Sequence, residues 1–261
     1  MQPADLANAC WQLLQTFSAQ PAVISDSVER VLIFGDIHGD FETIKYLNSQ
    51  LPNYDKIVCV GDYVDRGQQD LEVVCALPAL AANPKVVLLA GNHDVDSDIR
   101  PRDFKHRLGQ LAGPQAALAI EEDYTRAFSA APIAYYNEQH KILAVHGAIT
   151  PNKKDFDFKS WTKYLAGHGV GYHIVWNDFA FGGQTASGMC VPGRYKISND
   201  DAKLFMAQNN LELIVRGHQS PMFNTIYDLG GGMSIVTVGS ALVYAGNRAV
   251  FSLPEKKLVR F

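Results

Sequence analysis

The sequence predicts a mixed α/β protein built around β-sheets, and three observations carry that prediction. Five short apolar runs recur along the chain: VLIF (31–34), KIVCV (56–60), KVVLLA (85–90), KILAV (141–145) and LELIV (211–215). The segments between the first three, FETIKYLNSQL and DLEVVCALPALAA, have helical composition. From residue 222 onward, β-branched and aromatic residues alternate with Gly and Asn punctuation, as in antiparallel strands.

Residues 1–30 are expected to form a peripheral segment with a helix around Leu6–Phe17. Continuous apolar runs of four to six residues suit strands buried on both faces. The first three runs and their helices make an opening βαβαβ pattern, which implies parallel strands and right-handed crossovers. Residues 97–130, rich in Ala, Leu and charged residues, read as helical. The sequence shows no repeat, low-complexity tract or linker, so one domain over residues 1–261 is expected.

Composition narrows the function. The 261 residues are 47% hydrophobic and 19% charged, ordinary values for a chain with one buried core. A net charge of −4 and a pI near 6.0 give no broad basic footprint, so neither a nucleic-acid nor a membrane partner is expected. Cys10, Cys59, Cys75 and Cys190 form no paired motif and read as reduced thiols of a cytoplasmic protein. The N-terminus lacks the basic start and continuous apolar stretch of a signal peptide. The longest uncharged stretch, Leu229 to Asn247, is broken by five glycines and reads as strands and turns.

The residues just beyond each apolar run carry the chemistry. The first run leads into Gly35-Asp36-Ile37-His38-Gly39-Asp40, the second into Gly61-Asp62-Tyr63-Val64-Asp65-Arg66-Gly67, and the third into Gly91-Asn92-His93-Asp94. The fourth and fifth end in His146-Gly147 and Arg216-Gly217-His218. In open α/β sheets, ligands gather beyond the carboxyl ends of strands. A single Asp after a strand is usually a helix cap, but five matches at one topological position point to a shared object. Asp36, His38, Asp62, Asn92, His146 and His218 are therefore expected to meet. Six mixed oxygen and nitrogen donors exceed a four-coordinate zinc site, and three imidazoles are unusual for calcium or magnesium. Two transition-type ions fit better. His106, His140, His168 and His173 lack this context and are given no role.

Taken together, GDIHG, GDYVDRG, GNHD, HG and RGH, in this order, resemble the signature of the calcineurin-like metallophosphoesterases. GDYVDRG is most similar to the PPP-type serine/threonine protein phosphatases among them. The resemblance implies a β-sandwich flanked by helices with a bimetal centre at its edge. It implies one metal held by Asp36, His38 and Asp62, the other by Asn92, His146 and His218, with Asp62 bridging. Manganese is the expected ion, with iron and zinc as alternatives. His93 would be the general acid, Asp65 its orienting partner, and Arg66 with Asn92 would hold the phosphoryl oxygens.

Two weaker matches add to the site. VWND (175–178) resembles the family's Trp-Ser-Asp-Pro element, with Phe179 in place of Pro, and it places a second phosphate-binding arginine at Arg194. SALVYAGN (240–247) resembles a loop beside the active site and puts Tyr244 near substrate. The expected reaction is one-step, in-line attack on a phosphate monoester by a metal-bridging hydroxide. A phosphoserine or phosphothreonine protein or peptide is the expected substrate, with phosphotyrosine also open. Ala90 before Gly-Asn-His, where an arginine is usual, and Asp94, where Glu is usual, depart from the PPP pattern. They keep open a hydrolase of dinucleoside polyphosphates or another small phosphate ester. A non-catalytic scaffold of the same fold is the third reading, disfavoured because the acid histidine and all the ligands are retained.

Overall fold

The computed structural model describes residues 1–164, 166–182 and 187–261. The chain begins with α1 (Pro3–Ser18), β1 (Val23–Asp26), β2 (Val31–Phe34), α2 (Phe41–Gln50), β3 (Lys56–Cys59), α3 (Asp70–Ala81) and β4 (Val86–Leu88). Next come α4 (Asn92–Val95), α5 (Asp103–Ala112), α6 (Pro114–Ser129), β5 (Ala134–Asn137) and β6 (Ile142–Val145). After these come α7 (Gly169–Trp176), β7 (Asp178–Phe179), β8 (Gly188–Val191), β9 (Arg194–Ile197), α8 (Asn199–Gln208) and β10 (Leu213–Arg216). The chain closes with β11 (Thr225–Gly230), β12 (Met233–Thr237), α9 (Leu242–Ala245), β13 (Ala249–Leu253) and β14 (Lys257–Arg260).

Two sheets, in the orders β14-β13-β2-β3-β4 and β1-β5-β6-β10-β12-β11, pack face to face. Alternation along the strands explains why the apolar runs are continuous. Val31, Ile33, Val58 and Val60 face the inter-sheet core with Ala144, Val215 and Val236 of the other sheet. Leu32, Phe34, Ile57 and Cys59 point the opposite way, into a core shared with α1, α2, α3 and α6. A third cluster, including Phe205 of α8, Ile214 and Trp161, covers the outer face of the second sheet. Each fully buried aliphatic side chain contributes about 1.5–3 kcal/mol. The architecture is thus a β-sandwich flanked by helices, as the resemblance implied.

Some elements differ from expectation. α1 turns Leu6, Leu13 and Phe17 into the core while Trp11 on its other face is exposed, and β1, for which no strand is expected, pairs in parallel with β5. After residue 222, β11 and β12 form an antiparallel hairpin, but β13 crosses to the other sheet and pairs with β2 and β14. Residues 242–245 are a helical turn, not strand. A small sheet, β7-β9-β8, has no counterpart among the apolar runs.

Strand direction positions the site. Within the first sheet β2, β3 and β4 are parallel, and within the second so are β6, β10 and β12. The loops after these strands meet where an isolated bridge joins Asp36 to Gly239, tying the end of one sheet to the other. Gly35 makes that approach possible, since a Cβ there would lie 1.8 Å from the Val238 carbonyl oxygen.

Candidate active site

The loops after β2 and β3 are joined by their backbones. Ile37 and His38 both donate to the Asp62 carbonyl, at 3.0 and 2.8 Å, and Gly39 donates to Tyr63 at 2.8 Å. Nine non-glycine residues among those described have positive φ, and five of them belong to the expected site: His38 (42°), Asp62 (57°), Asp65 (69°), Arg66 (70°) and His218 (65°). Such conformations cost about 1–3 kcal/mol each and persist where surrounding contacts impose them. Asp94 is one source of that constraint. Its buried carboxylate accepts from the backbone of Asp62 (2.7 Å), Gly91 (2.9 Å) and Tyr63 (3.0 Å) and from the Tyr124 hydroxyl (2.7 Å). Burial and the neighbouring Asp62 push the Asp94 carboxyl up to about 6.

The six expected donors come together. His38 Nε2 stands 3.6 Å from Asp36 Oδ2 and 3.6 Å from Asp62 Oδ2. His146 Nε2 lies 2.9 Å from Asn92 Oδ1 and 3.3 Å from Asp62 Oδ1. His218 Nδ1 is 2.8 Å from the same Asn92 oxygen, and its backbone N–H donates to Asp36 Oδ1 at 2.9 Å. Gly217 leaves room for that carboxylate, because a Cβ there would sit 2.0 Å from Asp36 Oδ1. Asp62 belongs to two groups whose donor atoms lie within 4.8 Å of one another, one with His146 and His218, the other with His38 and His93.

The chemistry of these donors fits cations. A carbonyl oxygen only accepts, so His38 Nδ1 must donate to Val64 O (2.8 Å) and His146 Nδ1 to Val60 O (2.9 Å). In the neutral rings both Nε2 atoms then present lone pairs toward carboxylate and amide oxygens, which are also acceptors. These converging acceptors are satisfied by a positive charge between them, a proton on Nε2 or a bound cation, and anchoring the opposite ring nitrogen is how ligand histidines are oriented. Burial opposes charge on His38, but Asp36 and Asp62 raise it to about 9. Burial raises the Asp62 carboxyl, while His146, His93 and His38 hold it well below its usual range. His218 is lowered by burial and by His146, Arg216 and Arg194, so this ring stays neutral.

His93 stands apart from the donors in its partners. Its Nδ1 lies 2.7 Å from Asp65 Oδ2, leaving Nε2 without a partner among the described residues. Asp65 also accepts from Phe104 N (2.9 Å) and from Arg102 Nη1 (2.8 Å). Arg102 further donates to the His93 carbonyl and, through Nε, to Glu121 at 3.0 Å. Burial raises the Asp65 carboxyl, and His93 and Arg102 bring it below its ordinary value. Sequence reasoning misses Arg102 and Glu121 because neither lies in a Gly-flanked motif and their link to Asp65 is purely tertiary.

A cleft of about 310 Å³ opens over this assembly, lined by Asp36, Asp62, His93, Arg66, Arg194 and Tyr244 among others. Arg66 Nε is buried without a hydrogen-bond partner, a donor available to an anion. Arg194 is held by Asp178 through Nε (3.0 Å) and Nη2 (2.8 Å), and its Nη2 also lies 3.0 Å from His218 Nε2. Asp178 Oδ1 is 3.5 Å from that nitrogen. The Tyr244 ring packs edge-on to His38, with centroids 5.2 Å apart, and is 40% exposed. All eleven expected residues thus line or support one site.

A sandwich whose strand ends bring carboxylates, imidazoles and guanidiniums to one cleft is the architecture of a metal-dependent phosphoester hydrolase. The chain belongs to the calcineurin-like phosphoesterase family, whose model matches residues 29–222. Among solved structures it is similar to a Saccharomyces cerevisiae protein serine/threonine phosphatase with similarity to human phosphatase PP5. The identity is 20%, over 100% of this chain and 89% of that one, with a TM-score of 0.81. It is also similar to a putative diadenosine tetraphosphatase, at 18% identity over 93% and 98% of the two chains, with a TM-score of 0.56. A cold-active protein-tyrosine phosphatase of a psychrophilic Shewanella matches at 16% identity over 94% and 81%, with a TM-score of 0.58. At these identities the likeness establishes the fold. No helix among the described residues is long and apolar enough to cross a membrane.

Proposed function

We propose that this phosphatase hydrolyses phosphoserine or phosphothreonine in proteins, using two divalent ions, manganese foremost, in a reducing cytoplasmic setting. The observation that carries the reading is Asp62, shared by two donor groups beneath a cleft that also presents His93 and two guanidiniums. Asp36, His38 and Asp62 would hold one ion, and Asp62, Asn92, His146 and His218 the other. Bound there, the ions supply positive charge and can lower the pKa of a water from ~15.7 to near 7.

The chain's own residues do the rest. Phosphate monoesters demand up to ~10²¹-fold acceleration. General acid catalysis supplies about 10²–10⁴-fold, so charge and alignment at phosphorus must provide most of it. Arg66 and Arg194 hold phosphoryl oxygens and fix the line of attack. His93 Nε2 delivers a proton to the departing oxygen, while Asp65, itself fixed by Arg102, holds the ring. The reaction is a single displacement without a phosphorylated enzyme.

The protein substrate is supported by GDYVDRG, by the loop around Tyr244, and by the higher TM-score to the serine/threonine phosphatase, 0.81 against 0.56. The second reading, a dinucleoside polyphosphate hydrolase, is favoured by Ala90 and Asp94 around Gly-Asn-His. Parallel assays with manganese separate them: phosphoserine peptides should turn over with kcat/KM at least about 10-fold above diadenosine tetraphosphate. The reverse order would replace the first reading with the second.

A further inference from the structure

A second cleft of about 380 Å³ lies beside the first and shares His38 and Arg66 with it as walls. Its far side is formed by Leu242 and Val243 of α9, and its near side by Gln68 and Gln69. Leu242 and Val243 are 49% and 50% exposed. Two adjacent apolar side chains, half-exposed at the wall of a cleft, add little to folding and offer a contact surface. The run is not loose. Asp40, from the loop carrying His38, accepts from Leu242 N at 3.0 Å and holds Arg248 with two bonds of 2.8 and 3.0 Å, pinning both ends of the turn. The side-chain amides of Gln68 and Gln69 make no hydrogen bond among the described residues.

We infer that this cleft is a substrate subsite that takes an apolar side chain adjacent to the phosphorylated residue of a peptide. The inference rests on the phosphoprotein reading above. Continuity argues for the occupant: a chain joined to a phosphoryl group at Arg66 and running toward α9 must cross this cleft, and one extended residue spans about 3.3–3.6 Å. A peptide also matches both walls, with an apolar side chain for Leu242 and Val243 and backbone groups for the two free amides.

Two phosphoserine peptides test it, identical except that Leu or Gly flanks the phosphoserine. Wild type should favour the Leu peptide in kcat/KM by about 10-fold, mainly through KM, the scale of an apolar group filling a pocket. Val243→Asp should bring that ratio near one, and Leu242→Ser should reduce it in the same direction. Equal values for the two peptides in wild type, or a preference that survives both substitutions, overturns the subsite and leaves the phosphatase reading standing. Cleavage of diadenosine tetraphosphate with neither peptide hydrolysed overturns both.

Discussion

Asp62→Asn will cut kcat/KM on any phosphate monoester by more than about 100-fold and reduce the metal bound per chain. Loss of an outer-shell partner alone costs about 10–100-fold in metal affinity or activity, and Asp62 stands in both donor groups. The substitution is isosteric and spares the fold. Asp62 N still donates to Asp94, its carbonyl still accepts from Ile37 and His38, and an amide oxygen can still accept from His93 N, now 2.9 Å from Oδ1. Melting temperature should therefore change little in the metal-free protein. Metal analysis beside steady-state kinetics checks both halves. Activity within about tenfold of wild type would remove Asp62 from the centre of the mechanism.

His93→Ala is expected to act differently. Turnover of an alkyl phosphate should fall about 10²–10⁴-fold, roughly 3–5 kcal/mol, while bound metal stays at the wild-type level. With p-nitrophenyl phosphate, whose leaving group needs little protonation, the loss should be much smaller. The contrast matters because His93 lies within 4.8 Å of the His38 and Asp62 donors, so geometry alone would also admit it as a ligand. Its Nδ1 bond to Asp65, and the Arg102 guanidinium behind that carboxylate, argue for a proton-carrying role. Equal losses on both esters together with missing metal would make His93 a ligand instead.

The parts of the fold legible in the sequence are those with the simplest physics. β2, β3, β4, β6 and β10 are buried on both faces, so their side chains read as continuous apolar runs. β1 (VISD) and β8 (GMCV) are partly exposed and mixed in character, and β7 has only two residues, so periodicity does not mark them. The crossing of β13 into the first sheet is invisible for another reason. Local pattern reports a strand, and only its cross-strand partners Val31 to Phe34 determine its sheet.

The site obeys the same rule. Residues in Gly-flanked motifs at strand ends can be read because those motifs are contiguous. Arg102, 37 positions from Asp65, and Asp178, 40 positions before the His218 it faces, depend on contacts that exist only after folding. Arg194 can be placed only by resemblance, yet the structure sets it at His218 and Asp178. Asp94 is legible merely as a departure from the expected Glu. Its four hydrogen bonds show what a carboxylate at that position does, which is to tie the loops after β3 and β4 together.

The central claim is that Asp62 lies between two cations. Anomalous diffraction at the manganese edge from manganese-soaked crystals tests it directly. Two peaks about 3.5–4 Å apart are expected, with Asp62 oxygens facing both. One peak only, or two peaks that Asp62 does not join, would contradict it.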